Sequence, residues 1–129
     1  MGTGSRRTLE KMGYKDLVEI LDREFSLYVR LSAADERGYV QCVTCNTIVH
    51  WKEIAFGHFI SRYWHSVRWD IKNGGPQCEK CNILERGKRE EMRAHLVKLY
   101  GEDDITSIEV KSKRTKTESA ETLRAKIRD

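Results

Sequence analysis

Cys42-Val43-Thr44-Cys45 and Cys78-Glu79-Lys80-Cys81 are the two stretches whose reading decides the fold. Each pair leaves two residues between its thiols, a gap that lets both sulfurs of a knuckle reach one tetrahedral Zn²⁺. A redox disulfide needs only one such pair in a βαβ context that this chain lacks, and buried free cysteines need no repeated spacing. Four thiolates fill the shell, so the expected zinc is structural, closed to water and without chemistry of its own. The 129 residues are 39% hydrophobic and 34% charged, so the apolar core is modest. Structural zinc contributes on the order of 10 kcal/mol or more to small modules and offsets that deficit. The 32 residues between Cys45 and Cys78 exceed a zinc-ribbon gap, and this insertion must do more than close a loop.

Outward from the knuckles, the pattern predicts an α+β chain, a small zinc-stapled core flanked by N-terminal and C-terminal helices. Residues 1–37 are the N-terminal flank, with a helix over 14–35 whose stripe is Leu17, Leu21, Phe25, Tyr28 and Ser32, widened by Val18, Ile20 and Leu31. Residues 38–101 are the core: a hairpin around Cys42 and Cys45, a short strand over Phe56–Ile60, and a turn at Asn73-Gly74-Gly75-Pro76. A helix then runs over Arg89–Tyr100, with Met92, Leu96, Leu99 and Tyr100 on one face and Gly101 as its stop. Residues 102–129 are a charged tail with a helix opened by the capping box Thr115-Lys-Thr-Glu118. The three blocks make one domain overall. The net charge of +4 lies wholly in the middle block, because each flank carries seven positive and seven negative residues. No stretch has the roughly 20 apolar residues that cross a bilayer, and the N-terminus has no signal-peptide pattern, so the expected location is the cytoplasm and the expected partners exclude membrane.

The insertion holds Gly57-His58-Phe59-Ile60-Ser61-Arg62, then Arg68-Trp69-Asp70 and Asn73, and the second knuckle runs on into Cys81-Asn82. With Gln77 before Cys78 and Tyr100-Gly101 later, this order resembles the phage NinG/Rap recombination endonucleases, zinc-stapled members of the HNH (His-Me finger, ββα-metal) nucleases. The resemblance covers approximately residues 25–101. It implies a metal-dependent, structure-selective endonuclease that hydrolyses phosphodiester bonds in branched DNA such as D-loops and Holliday junctions during phage recombination, in the cytoplasm of a bacterial host. It also implies that Asn73 holds the loop over His58 by bonding backbone groups, where on residue type alone Asn73 is a turn residue.

The chemistry of the other residues stands beside that resemblance. Phosphodiester hydrolysis needs a water deprotonated near neutral pH, and a neutral imidazole suits this, which makes His58 the candidate base. Asn82 offers a carbonyl oxygen to a catalytic Mg²⁺ or Mn²⁺ that otherwise keeps its waters. Many relatives carry a metal ligand just before the base, where this chain has Gly57. Either Asn82 is then the sole protein ligand or another oxygen, with Asp70 the candidate, completes the shell. Pairing of Asp70 with Arg68 or Arg62 is the favoured reading of that carboxylate. Arg62 is the best candidate to clamp the scissile phosphate. Arg62, Arg68, Lys88, Arg89 and Arg93 are the candidate DNA contacts; the last three lie with Arg86 in a basic stretch whose ordinary reading is solvated helix surface and whose rival reading is backbone tracking of DNA. His65 is a weaker phosphate candidate, and Trp51, Trp64 and Trp69 are more simply core than base-stacking platforms. The competing expectations are a non-catalytic zinc DNA-binding or adaptor module and a sequence-specific HNH restriction or homing nuclease. A symmetric four-way junction would suit a homodimer.

Overall fold

The computed structural model describes residues 6–114 and 117–128. Helices α1 (Arg6–Lys11) and α2 (Tyr14–Ala33) lead into an antiparallel pair, β1 (Tyr39–Gln41) and β2 (Ile48–His50), which carries the first cysteine knuckle. A second antiparallel pair, β3 (Ile54–His58) and β4 (Gly74–Cys78), follows, with the short helix α3 (His65–Arg68) in the loop between its strands. A π-helical turn (Lys80–Leu84), then α4 (Arg89–Tyr100), α5 (Glu102–Ser112) and α6 (Ala120–Arg128), complete the chain. The fold is α+β with two small two-stranded sheets. No helix among the described residues is long and apolar enough to cross a membrane.

Four elements depart from the sequence expectation. The strand predicted over 56–60 lies at 54–58, and the predicted Gly-Gly-Pro turn is instead most of β4, with Gly57 opposite Gly75 and Phe56 opposite Pro76. A Cβ on Gly74 would sit 2.0 Å from the carbonyl oxygen of Gly57, so glycine here serves close strand approach, not a bend. In a two-stranded sheet Pro76 forfeits nothing by lacking an N–H, and its carbonyl accepts from Val43 N–H at 3.0 Å. On α2, Leu17, Ile20, Leu21 and Val29 are buried, but Tyr28 is 63% exposed, and Leu31 and Ser32 also face solvent. The helix changes partner along its length: its first half packs on Leu9 and Leu123, while Phe25 meets Phe56 of β3 edge-on at 4.8 Å. One continuous stripe cannot serve both neighbours. Leu99, predicted on the buried face of α4, is likewise 60% exposed.

The charged tail is not an appendage. Ile105 and Ile108 of α5 share a core with Phe59, Ile60, Val67, Met92 and Leu96, and Leu123 of α6 is sealed against Leu17 and Leu21. Thr115 of the predicted capping box lies outside the described residues. Helix α6 is capped by Ser119, whose Oγ accepts from Thr122 N–H at 3.1 Å. Two consequences position the site: α6 braces α2, and α2 lies against the β3–β4 hairpin.

Candidate functional site

The four cysteines converge from the two knuckles, their sulfurs all within 4.8 Å of one another. A tetrahedron with metal–sulfur bonds of about 2.3 Å has edges of about 3.8 Å, and the Cys45 and Cys78 sulfurs are already 3.6 Å apart. Burial raises thiol pKa values here, pushing Cys81 to about 12. Cys42 goes the other way, to about 6, because bonds from the Thr44 hydroxyl and the backbone N–H groups of Cys78, Thr44 and Cys45 outweigh its burial. Four thiolates this close repel one another, and a dication that takes all four removes the conflict. The cluster could hold a structural metal such as zinc. It forms its own small core with Val40 and Ile54, tying β1 to β4 and the turn after it.

Asn82 follows Cys81 on the π-helical turn and lines a cleft of about 480 Å³ with Ala55, Phe56 and His58 of β3 and with Arg62, Ile83 and Arg86. Its far wall is α2, through Asp22, Phe25 and Ser26. His58 donates from Nε2 to the Arg68 carbonyl at 2.8 Å, since a carbonyl only accepts, and this leaves the lone pair on Nδ1. Burial, with smaller contributions from the Arg62 and Arg68 charges, lowers its pKa to about 4 against the pull of the Arg68 carbonyl and Asp22. The imidazole is therefore neutral at pH 7. Asn73 is fully buried: its Oδ1 accepts from Ile60 N–H at 2.8 Å, and its Nδ2 donates to the carbonyls of Ile60 and Val67 at 3.1 and 3.0 Å. It holds the segment after His58 to the segment that presents the Arg68 carbonyl.

Asp22 grips that second segment from α2. Its Oδ1 accepts from Arg68 Nε and from the Trp69 indole, each at 2.9 Å, and its Oδ2 accepts from Arg68 Nη2. Gly57 is explained by Gln77. A Cβ at Gly57 would lie 2.1 Å from Gln77 Oε1, and Gln77 is fully buried with Nε2 bonded to Thr44 Oγ1 at 3.1 Å and the Gly87 carbonyl at 2.9 Å. No side chain fits at 57 unless Gln77 gives up both bonds. We expect Gly57→Asp to lower stability by at least about 1–3 kcal/mol, the usual cost of overpacking, and to leave divalent-cation affinity no tighter. Urea denaturation and calorimetric titration with Mn²⁺ check the two halves; a stable variant with tighter Mn²⁺ binding would overturn the account.

A family model described as Bacteriophage Lambda NinG protein matches residues 5–129. The chain belongs to the NinG family. NinG proteins are phage recombination-related, and the match extends over both flanks, beyond the 25–101 expected from the motifs. No curated protein and no solved structure matches this NinG chain.

The NinG chain brings together only part of the predicted residue set. His58, Arg62 and Asn82 share the cleft, and Asn73 stands behind it. Asp70 does not line the cleft and pairs with neither arginine; it caps the turn Ile71–Asn73 by accepting from Lys72 N–H at 2.9 Å. Arg68 is held by Asp22, Arg93 by Glu102 and Glu109 at 2.7 and 3.0 Å, and Lys88 by Glu85 at 3.1 Å. Arg89 lies over the Phe59 ring at 5.1 Å, outside the cleft. His65 bonds the Tyr14 hydroxyl at 2.8 Å and stacks on its ring, and it does not line the cleft. By contrast, neither Arg62 nor Arg86 makes an ion pair among the described residues. The sequence reading missed Asp22 as a wall of the site and did not single out Arg86 as a second cleft guanidinium without an ion pair among the described residues. Arg86 was visible within a basic stretch; nothing local marks Asp22.

Proposed function

We propose that the cleft is the active site of an HNH-type, metal-dependent DNA endonuclease acting on branched recombination intermediates. One observation carries this reading: a neutral imidazole with its lone pair on Nδ1 shares a cleft with a half-buried asparagine amide and two guanidinium groups without ion pairs among the described residues. The hairpin β3–β4 followed by a helical turn is also the order of a ββα-metal core, and membership of a phage recombination-related family supports the DNA substrate.

In the reaction, His58 Nδ1 takes a proton from water as the water oxygen attacks phosphorus. The bond from phosphorus to the leaving 3′-oxygen breaks, and solvent reprotonates that oxygen. Asn82 Oδ1 fits a hard cation, having no hydrogen bond among the described residues, and a bound Mg²⁺ or Mn²⁺ there would neutralise charge on the phosphate and leaving oxygen. Arg62 and Arg86 bind the flanking phosphate oxygens, and Arg68, fixed by Asp22, keeps the His58 ring in one tautomer.

The test is cutting of a four-way junction, a D-loop and a linear duplex by the purified chain with and without Mg²⁺ or Mn²⁺. The expected result is cation-dependent nicking of the branched substrates. Because His58 acts only when unprotonated, the rate rises with pH through about 4 and is level by pH 6, where an ordinary imidazole would still be titrating. Salt-sensitive binding without products would instead mark a binding module, and one cut site on linear duplex a sequence-specific nuclease.

A further inference from the structure

Leu84 is 76% exposed and Ile83 63%, two bulky apolar side chains side by side in water on the turn that carries Asn82. Ile83 lines the cleft itself. Burying such a side chain is worth roughly 1.5–3 kcal/mol, so a fold free to turn them inward would do so. This turn is tethered. Cys81 is fixed in the cysteine cluster, Glu85 N–H donates to the Lys80 carbonyl and Gly87 N–H to the Cys81 carbonyl, each at 2.8 Å. Arg86 (φ 55°) and Lys88 (φ 43°) are held in left-handed conformations that such residues seldom adopt. The strain is sustained at the place where the apolar pair is presented.

The surroundings specify what covers the pair. Arg62 and Arg86 bring to the same cleft two positive charges that make no ion pair among the described residues, and an apolar protein surface laid over Ile83 and Leu84 would bury those charges without partners. A nucleic acid supplies phosphates for the guanidinium groups and base faces for the apolar groups at the required closeness. We propose that Ile83 and Leu84 are a wedge that enters a base step next to the phosphodiester in the cleft. Opening a stacked step costs a few kcal/mol and costs least where stacking is already broken, so the wedge favours branch points over continuous duplex. This inference rests on the nucleic-acid reading of the cleft and adds the device by which shape is selected.

The experiment uses the full chain and a four-way DNA junction with 2-aminopurine at the branch, without added divalent cation, so that binding is read apart from cutting. Wild type is expected to raise the 2-aminopurine fluorescence severalfold. Leu84→Ala abolishes most of that rise and lowers the junction-to-linear affinity ratio at least fivefold, Ile83→Ala does so to a lesser degree, and Leu84→Met restores it. Both residues are exposed, so metal content and melting temperature stay at wild-type values. An unchanged fluorescence rise and affinity ratio in Leu84→Ala, with cation-dependent cutting intact, overturns the wedge and spares the nuclease. Failure of wild type to bind any of the DNAs overturns both. A dimer in sedimentation that Leu84→Ala dissociates makes the pair a self-interface and overturns the wedge.

Discussion

Chelating a metal held by the four-cysteine cluster is expected to unfold the middle of this protein. Cys42, Cys78 and Cys81 are most of the buried local core, with Val40 and Ile54 as its other buried residues and Cys45 partly buried at its edge. Without a cation, burial pushes Cys81 up to about 12 and keeps it a neutral thiol, and no covalent bond joins the four sulfurs across the two knuckles. Structural zinc supplies about 10 kcal/mol or more at neutral pH, comparable to the whole stability of a small domain. A chelator under reducing conditions, or Cys81→Ser, should therefore abolish the cooperative melt followed by circular dichroism, with one metal per chain measured by mass spectrometry beforehand. An unchanged melt in the chelated protein and no metal in the native one would refute the structural-metal account. The loss should reach the cleft, because the turn bearing Asn82 is anchored through Cys81.

Replacing His58 by alanine or glutamine should lower the rate of DNA cutting by a factor on the order of 10² to 10⁴, the usual contribution of a positioned general base. The pair of variants separates chemistry from structure. Alanine leaves the Arg68 carbonyl without its donor and costs about 1 kcal/mol of stability, whereas the glutamine amide can still donate to it. Glutamine has no basic nitrogen, so its cutting stays lost while its melting temperature recovers. Wild-type rates in His58→Gln would remove His58 as the base.

Much of the architecture was legible because it is written in local spacing. The paired cysteines, helix Arg89–Tyr100 with its stop at Gly101, and the placement of Asn82 behind a knuckle each depend on residues a few positions apart. Errors fell where a local signal has two meanings. Gly74-Gly75-Pro76 has turn composition, yet the same small residues allow a strand to approach Gly57 closely, and only the partner strand decides between them. The 102–129 block looks like a solvated tail by charge, but Ile105, Ile108 and Leu123 are enough to anchor two helices once neighbours exist to receive them.

The fate of the arginines makes the same point for the cleft. In the sequence Arg62 was favoured as the phosphate clamp, but nothing local marked which of the others would be neutralised. Arg68 is neutralised by Asp22, a residue 46 positions away, and Arg93 by two glutamates of a helix taken for a tail, while Arg62 and Arg86 in the cleft make no ion pair among the described residues. Asp70, the carboxylate that seemed closest to the chemistry by position, is spent on capping its own turn. By itself the sequence determined the four-cysteine cluster and the helical flanks, and it marked His58 and Asn82 as candidate site residues, since spacing and periodicity are properties of consecutive residues. Only the tertiary structure decided which charges remain free, why position 57 must be glycine, and that Asp22 fixes Arg68, whose carbonyl orients His58. Those depend on distances across space between segments that the chain brings together only by folding.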